Sequence, residues 1–259
     1  MQLSFSIVGT GNMAWFLAER LNAAGHHFEG IYGRNLLAAN EIVAQYPALI
    51  YSAPEAIPDK ENHICLLAVK DDAIPAIAAQ LHFQETVLVH TAGSVSIELL
   101  ADAAVHYGVV WPVYSITRGR HFLRQDIPMV TQSNDHNPLT GILAVSISPL
   151  SGPMSEAQRF QLHMAAVFAN NFTNHLIAVS ESLCAGQHIA FDYLKPLIEQ
   201  TFERLQQQSP GALQTGPARR GDQATQQKHM DLLQNQPELA AVYQSLSISI
   251  RKMYENHEQ

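Results

Sequence analysis

The sequence predicts an α/β fold class: a doubly wound parallel sheet in the N-terminal half, followed by an all-α C-terminal domain. Three observations predict it. Short apolar strands alternate with helical segments through the first half. A glycine-rich turn joins the first strand to the first helix. Past residue 152 the strand pattern stops and long helical stretches take over. Alternating strands and helices of this size build βαβ units, whose right-handed crossovers place helices on both faces of a parallel sheet.

Residues 3–8 form a short apolar strand, and a helix follows over 12–24, closed by Gly25. A second strand covers 28–32. A second helix covers 36–46 and is stopped by Pro47. Residues 50–51 make a weak third strand. The unbroken apolar run 63–69 suits a strand buried on both faces. Asp71 and Asp72 start another helix with Pro75 in its first turn. Fifth and sixth strands follow at 87–90 and 109–114, with a late edge strand at 129–131. Ser155 is a suitable N-cap for a helix over 156–184, which holds no Gly or Pro until its end. Further helices fit 191–208, 224–234 and 237–255. The boundary between a domain of residues 1–152 and one of residues 153–259 falls at Ser151-Gly152-Pro153.

With 259 residues, 47% hydrophobic and 15% charged, the chain can bury a sizeable core. Its net charge of -8 and the lack of a basic run disfavour nucleic acid and membrane surfaces as partners. No charged segment followed by an apolar one opens the chain, and no apolar stretch spans a bilayer. Cys65 and Cys184 read as two buried thiols in a reducing cytoplasm.

Gly9-x-Gly11-x-x-Ala14 matches the GxGxxA fingerprint of a Rossmann domain, and it stands between a strand and a helix, where that fingerprint has meaning. Gly9 permits the tight turn, Gly11 lets a pyrophosphate approach the backbone, and Ala14 lets helix and strand pack closely. Thr10, Asn12 and Met13 complete the turn, and the free N–H groups there favour an anion. The second strand ends at Tyr32-Gly33-Arg34-Asn35. It lacks the acidic residue that binds an unmodified ribose, while Arg34 can pair with a 2′-phosphate, so NADP is expected over NAD. Ligands of open α/β sheets bind at the strands' carboxyl ends. There Ala68, Val69, Lys70, Thr91 and Ala92 are candidates for the cofactor, and Ser94 and Ser115 for a substrate.

On the long helix, His163, Asn170, Asn174 and Glu181 fall on one narrow stripe at 100° per residue, with mostly apolar or small flanks. Polar groups on a mostly buried helix need partners. His163, Asn170 and Asn174 are therefore the catalytic candidates, whereas Asn171 and His175 lie off the stripe. In Thr215-Gly216-Pro217-Ala218-Arg219-Arg220-Gly221-Asp222, a turn precedes a helix capped by Asp222, and Arg219 or Arg220 can clamp an anionic group.

Several of these motifs resemble a known family. Gly9-Thr10-Gly11-Asn12-Met13-Ala14, Leu67-Ala68-Val69-Lys70-Asp71-Asp72-Ala73-Ile74 and His90-Thr91-Ala92-Gly93-Ser94 are similar to Rossmann-like proteins that carry a C-terminal domain of unknown function 2520. So are Ala165-Ala166-Val167-Phe168-Ala169-Asn170-Asn171 and Thr215-Gly216-Pro217 with Arg220-Gly221-Asp222. The resemblance covers nearly the whole chain. The N-terminal half also resembles deazaflavin-dependent NADP oxidoreductases and pyrroline-5-carboxylate reductase. The C-terminal half is similar in plan to ketopantoate reductase and to the C-terminal domain of 6-phosphogluconate dehydrogenase. Ketopantoate reductase and its hydroxy-acid relatives place a catalytic Lys one turn before an Asn. Here Ala166 precedes Asn170 by one turn, and residues 156–184 contain no lysine. Where the family has His or Tyr before the proline of the sixth strand, this chain has Trp111.

The resemblance and the residues together imply an NADP-dependent oxidoreductase for a small polar carbonyl or imine, with His163 as proton donor. A homodimer in the cytoplasm is expected, and nothing requires a metal. The alternative, favoured by the missing lysine, is a dinucleotide-binding sensor or partner-binding protein without hydride chemistry.

Overall fold

A computed structural model describes residues 1–118, 126–135 and 137–255. The chain divides into two compact units, Met1–His175 and Leu176–Gln259.

In the first unit the described residues form an eight-stranded sheet. Its strands are β1 (Ser4–Val8), β2 (His27–Tyr32), β3 (Leu49–Ile50), β4 (His63–Leu67), β5 (Val87–His90), β6 (Tyr107–Pro112), β7 (Met129–Ser133) and β8 (Ser151–Pro153). The order is β3-β2-β1-β4-β5-β6-β7-β8, parallel through β6. The order reverses between β1 and β4, the crevice where open α/β sheets bind ligands. The doubly wound α/β fold expected from the alternation is therefore present.

Alternation along the buried strands feeds two cores. Phe5, Ile7, Ile64 and Leu66 pack on one face with α1 (Asn12–Ala23), and Phe5 stacks on Phe28 with ring centroids 4.9 Å apart. Val8, Cys65 and Leu67 pack on the other face with Ile74 and Ala78 of a short helix, α3 (Ile74–Ala78). Between β2 and β3 runs α2 (Leu36–Gln45), capped by the Asn35 side chain on the Ala38 N–H. Each large apolar side chain so buried contributes about 1.5–3 kcal/mol.

Several expectations need correction. Residues 129–131 belong to an interior strand: β7 pairs antiparallel with β6 and parallel with β8, which forms the edge. Pro153 suits that edge because it lacks a ladder donor. The intervening α4 (Leu139–Ile147) was not anticipated, because an apolar segment that short shows no decisive period. Cys184 is only partly buried, whereas Cys65 is enclosed in β4 and burial pushes its thiol pKa up.

After β8 the chain enters α5 (Glu156–Ala166), started by a full capping box between Ser155 and Gln158. A π-helical turn, Val167–Phe172, follows, then α6 (Thr173–Ala185). The helix expected to be mostly buried is not: Met164, Phe168 and Phe172 are each about half exposed or more.

The second unit is helical: α7 (Lys195–Leu205), α8 (Pro210–Leu213), α9 (Pro217–Arg220), α10 (Gln223–Leu232) and α11 (Pro237–Glu255). The helix expected over 191–208 opens instead with a separate 3-10 turn, because Pro196 fits only a helix start. Around α9, Gly216 and Gly221 both take positive φ, and Asp222 caps α10 through the Thr225 N–H.

Candidate functional site

The first cavity, about 770 Å³, opens over the carboxyl ends of β1, β2 and β4. Among the expected cofactor residues, Gly9, Thr10, Gly11, Arg34, Asn35, Ala68, Val69 and Lys70 line it. Two glycines explain the shape of its floor. Gly9 has φ of 123°, and a Cβ there would lie 2.2 Å from the Ala68 carbonyl oxygen, so no side chain fits. A Cβ on Gly11 would meet nothing within 4 Å. Protein packing therefore does not require a glycine at position 11, whereas close approach by a ligand does. Gly11 also caps α1 without a side-chain bond, and the first turn carries no acidic residue. Uncapped N–H groups at the start of a twelve-residue helix present a partial positive charge.

Arg34 and Lys70 add full charges. Both are exposed on the rim, and neither pairs with a carboxylate among the described residues. The open Gly11 position, the uncapped helix and the two unpaired cations fit a phosphorylated dinucleotide.

Asn12, Met13, Thr91 and Ala92 line neither this cavity nor the second. Asn12 donates to the Ile116 carbonyl (3.1 Å) and accepts from the Arg118 N–H (3.3 Å). Met13 packs on the core beneath α1. Thr91 donates to the Leu67 carbonyl, and the Ala92 N–H donates to Nδ1 of His90. Ser94 is likewise outside both linings and donates to Asp71 (3.0 Å).

The second cavity, about 560 Å³, is lined by Trp111 in β6, by Val113, Tyr114 and Ser115 beyond it, and by His163, Ala166, Val167, Asn170 and Asn171. The structure thus brings His163, Asn170 and Ser115 together, while Asn174 is exposed outside the lining. Asn171 takes the place that a uniform 100° step assigns elsewhere. The π-helical turn is the cause: its i→i+5 bonding widens one turn, so the helical stripe breaks after Val167. Adjacent asparagines then reach one cavity.

His163 is positioned by two contacts. Its ring lies 5.6 Å from the Trp111 ring at 51°. Below it, a Cβ on Gly93 would come within 2.6 Å of both His163 Cδ2 and Trp111 Cε2.

One turn earlier on α5, Arg159 has no exposed side-chain surface. Its Nη1 donates to the carbonyls of Ala92 (3.3 Å) and Gly93 (2.9 Å), and its Nη2 donates to Gln132 Oε1 (3.3 Å). Glu156 Oε2 lies 3.6 Å from Nη2 and accepts from Ser96 Oγ at 2.6 Å. Sequence reasoning passed over Arg159, since a lone arginine in the first turns of a helix reads as solvated. The neighbouring His90 is buried, and that burial, reinforced by the Arg159 charge, lowers its pKa to about 4.

In the second unit, Arg219 donates to the Tyr254 carbonyl at 2.9 Å and stacks over the Tyr254 ring. Arg220 is exposed beside Asp222.

Comparison with known proteins agrees with this anatomy. Residues 4–93 match the family described as NADP oxidoreductase coenzyme F420-dependent, and residues 128–250 match the Domain of unknown function (DUF2520) family. No curated protein matches the sequence. Among solved structures, a Bacteroides fragilis protein provisionally assigned as an NADP oxidoreductase is 27% identical, with 97% of this chain and 98% of that one covered and a TM-score of 0.85. A pyrroline-5-carboxylate reductase from Streptococcus pyogenes has a TM-score of 0.63 at 15% identity, covering 97% of this chain and 99% of its own. An imine reductase from Myxococcus stipitatus in complex with NADP+ has a TM-score of 0.64 at 13% identity, covering 98% and 94%. These last two likenesses concern the fold alone.

Proposed function

We propose that this chain, which joins an NADP oxidoreductase segment to a DUF2520 domain, is an NADPH-dependent reductase of a small polar carbonyl or imine compound. The observation that carries the reading is the pairing of two cavities in one unit. One is large enough for a dinucleotide and rimmed by unpaired cations; the other is smaller, lined by a histidine and two asparagines.

The bound dinucleotide supplies the hydride. The chain's own residues do the rest. The helix start at Gly11 and the Arg34 guanidinium hold the phosphates. His163 holds the proton for the substrate oxygen or nitrogen, because imidazole is the side chain that exchanges protons most readily near neutral pH. Asn170 and Asn171 orient that atom by their amides, Ser115 adds a hydroxyl, and Trp111 with Val113 excludes water. The lining carries no lysine, and a protonated imine, already electrophilic, asks less of the acid than a ketone does.

The test is NADPH titration by fluorescence, followed by turnover with a panel of ketones and cyclic imines. Binding with turnover is expected, and His163→Ala should lower turnover about a hundredfold or more, to a measurable residue, while binding persists. Binding without turnover across the panel would favour the sensor reading instead, and absence of binding would overturn both. Two further readings accompany the proposal. Exposed Met164, Phe168 and Phe172 support a homodimer, which light scattering would check against a monomer. The second is a cytoplasmic site of action; among the described residues no helix is long and apolar enough to cross a membrane.

A further inference from the structure

We infer that Arg159 is a positioning residue for His163, acting through the backbone of the loop that follows β5. The inference rests on the role proposed for His163. Three observations carry it. Arg159 is fully enclosed, its paired carboxylate Glu156 stands off at 3.6 Å, and its Nη1 donates to two successive carbonyls, Ala92 and Gly93. The same loop is tied from its other side by the Ala92 N–H on His90 Nδ1 at 3.2 Å. Gly93, so fixed, is the surface on which the His163 and Trp111 rings rest, close enough to exclude even a methyl group.

The geometry joins these into one device. Arg159 and His163 stand one helical turn apart, so they share a face of α5. When the guanidinium grips the loop, it sets the height of Gly93 beneath the imidazole and its lateral register against Trp111. A salt bridge is a poor explanation for this burial. Glu156 is a third exposed and at 3.6 Å, and Nε has no acceptor among the described residues. Enclosing a cation on such terms is costly, and an apolar side chain of similar volume often packs at least as stably. What an apolar replacement cannot do is hold two carbonyls in a fixed place.

The experiment uses Arg159→Met, Arg159→Lys and Gly93→Ala in the full chain. The His163 ring resonances, identified by their loss in His163→Ala, are followed by NMR together with steady-state kinetics. Arg159→Met should shift the His163 resonances and move the pH profile of kcat. Turnover should fall about tenfold or more, with the Kd for NADPH within about twofold of the parent. Arg159→Lys should restore part of kcat. Arg159→Met should cause no further loss in a His163→Ala background, because it acts through that ring. Gly93→Ala should reproduce the kinetic effect with Arg159 intact. Unchanged His163 resonances in a folded Arg159→Met protein would overturn the inference. So would a loss that multiplies with His163→Ala. If Arg159→Met does not fold, Gly93→Ala decides: unchanged His163 resonances and turnover in a folded Gly93→Ala protein would overturn the inference. Should the parent show no turnover, the function proposed above fails, and the NMR comparison still decides the positioning role.

Discussion

Arg34 stands at the tip of β2 with no carboxylate partner among the described residues, where an acidic side chain would select an unmodified ribose. Replacing it with alanine removes a charge-assisted contact from a phosphate. The Kd for NADPH should rise about tenfold to a hundredfold, with that for NADH changed less than about twofold. Parallel titrations of the two dinucleotides check this; equal losses for both would mean that Arg34 does not read the 2′-position. Gly9→Ala tests a different limit. Its Cβ would meet a backbone carbonyl at 2.2 Å, and the positive φ resists any side chain, so destabilisation rather than selective loss of binding is expected in thermal melts. Both residues were legible in the sequence because turn chemistry is local: glycines before a helix and a cation after a strand declare themselves within a few positions. Arg159 was not legible, since its acceptors lie at 92, 93 and 132 and nothing in the linear order brings them together.

At the scale of elements, local period serves well where the helix is regular and fails where it is not. Strands β1, β2, β4, β5 and β6 were recognisable from their apolar runs, and α11 appears with the bounds expected for it. The site helix departs from its period at Val167–Phe172, and one wide turn is enough to exchange Asn174 for Asn171 in the cavity lining. This makes a sharp contrast between two neighbouring side chains. Asn171→Ala should lower kcat/KM about tenfold by removing an amide that meets the substrate, whereas Asn174→Ala should change it by less than about twofold. A larger loss for Asn174 would restore the uniform helical stripe and remove Asn171 from the site. The start of the same helix offers a stability measurement free of catalysis. Ser155→Ala breaks the capping box with Gln158 and should cost about 1 kcal/mol in urea unfolding.

Over the whole molecule, the order of strands follows from chain connectivity and right-handed crossovers, so the crevice between β1 and β4 was legible once the alternation was seen. The polar groups that the sheet encloses were not. His63 and His90 sit in an apolar layer with no exposed surface, one between Ser4 and Ser6, the other under the Ala92 N–H. Burial holds both pKa values at about 4; Lys60 pushes His63 the same way, against the opposing pull of Glu29. These folded-state values lie below the 6.5 of a free imidazole. Between about pH 6.5 and pH 4 the unfolded chain therefore binds protons that the native state refuses, and stability must fall as pH falls through that window. Each histidine accounts for about 3 kcal/mol at the bottom of the window, with Glu29 and Asp59, whose pKa values are lowered, adding loss in the same direction below the ordinary carboxylate range. Urea midpoints measured from pH 7 to pH 4 should decline steeply. His63→Gln and His90→Gln should each flatten that decline, by roughly half if the two act independently. A midpoint that stayed level to pH 4.5 would mean that both imidazoles accept protons in the folded sheet, which the closed layer around them does not allow.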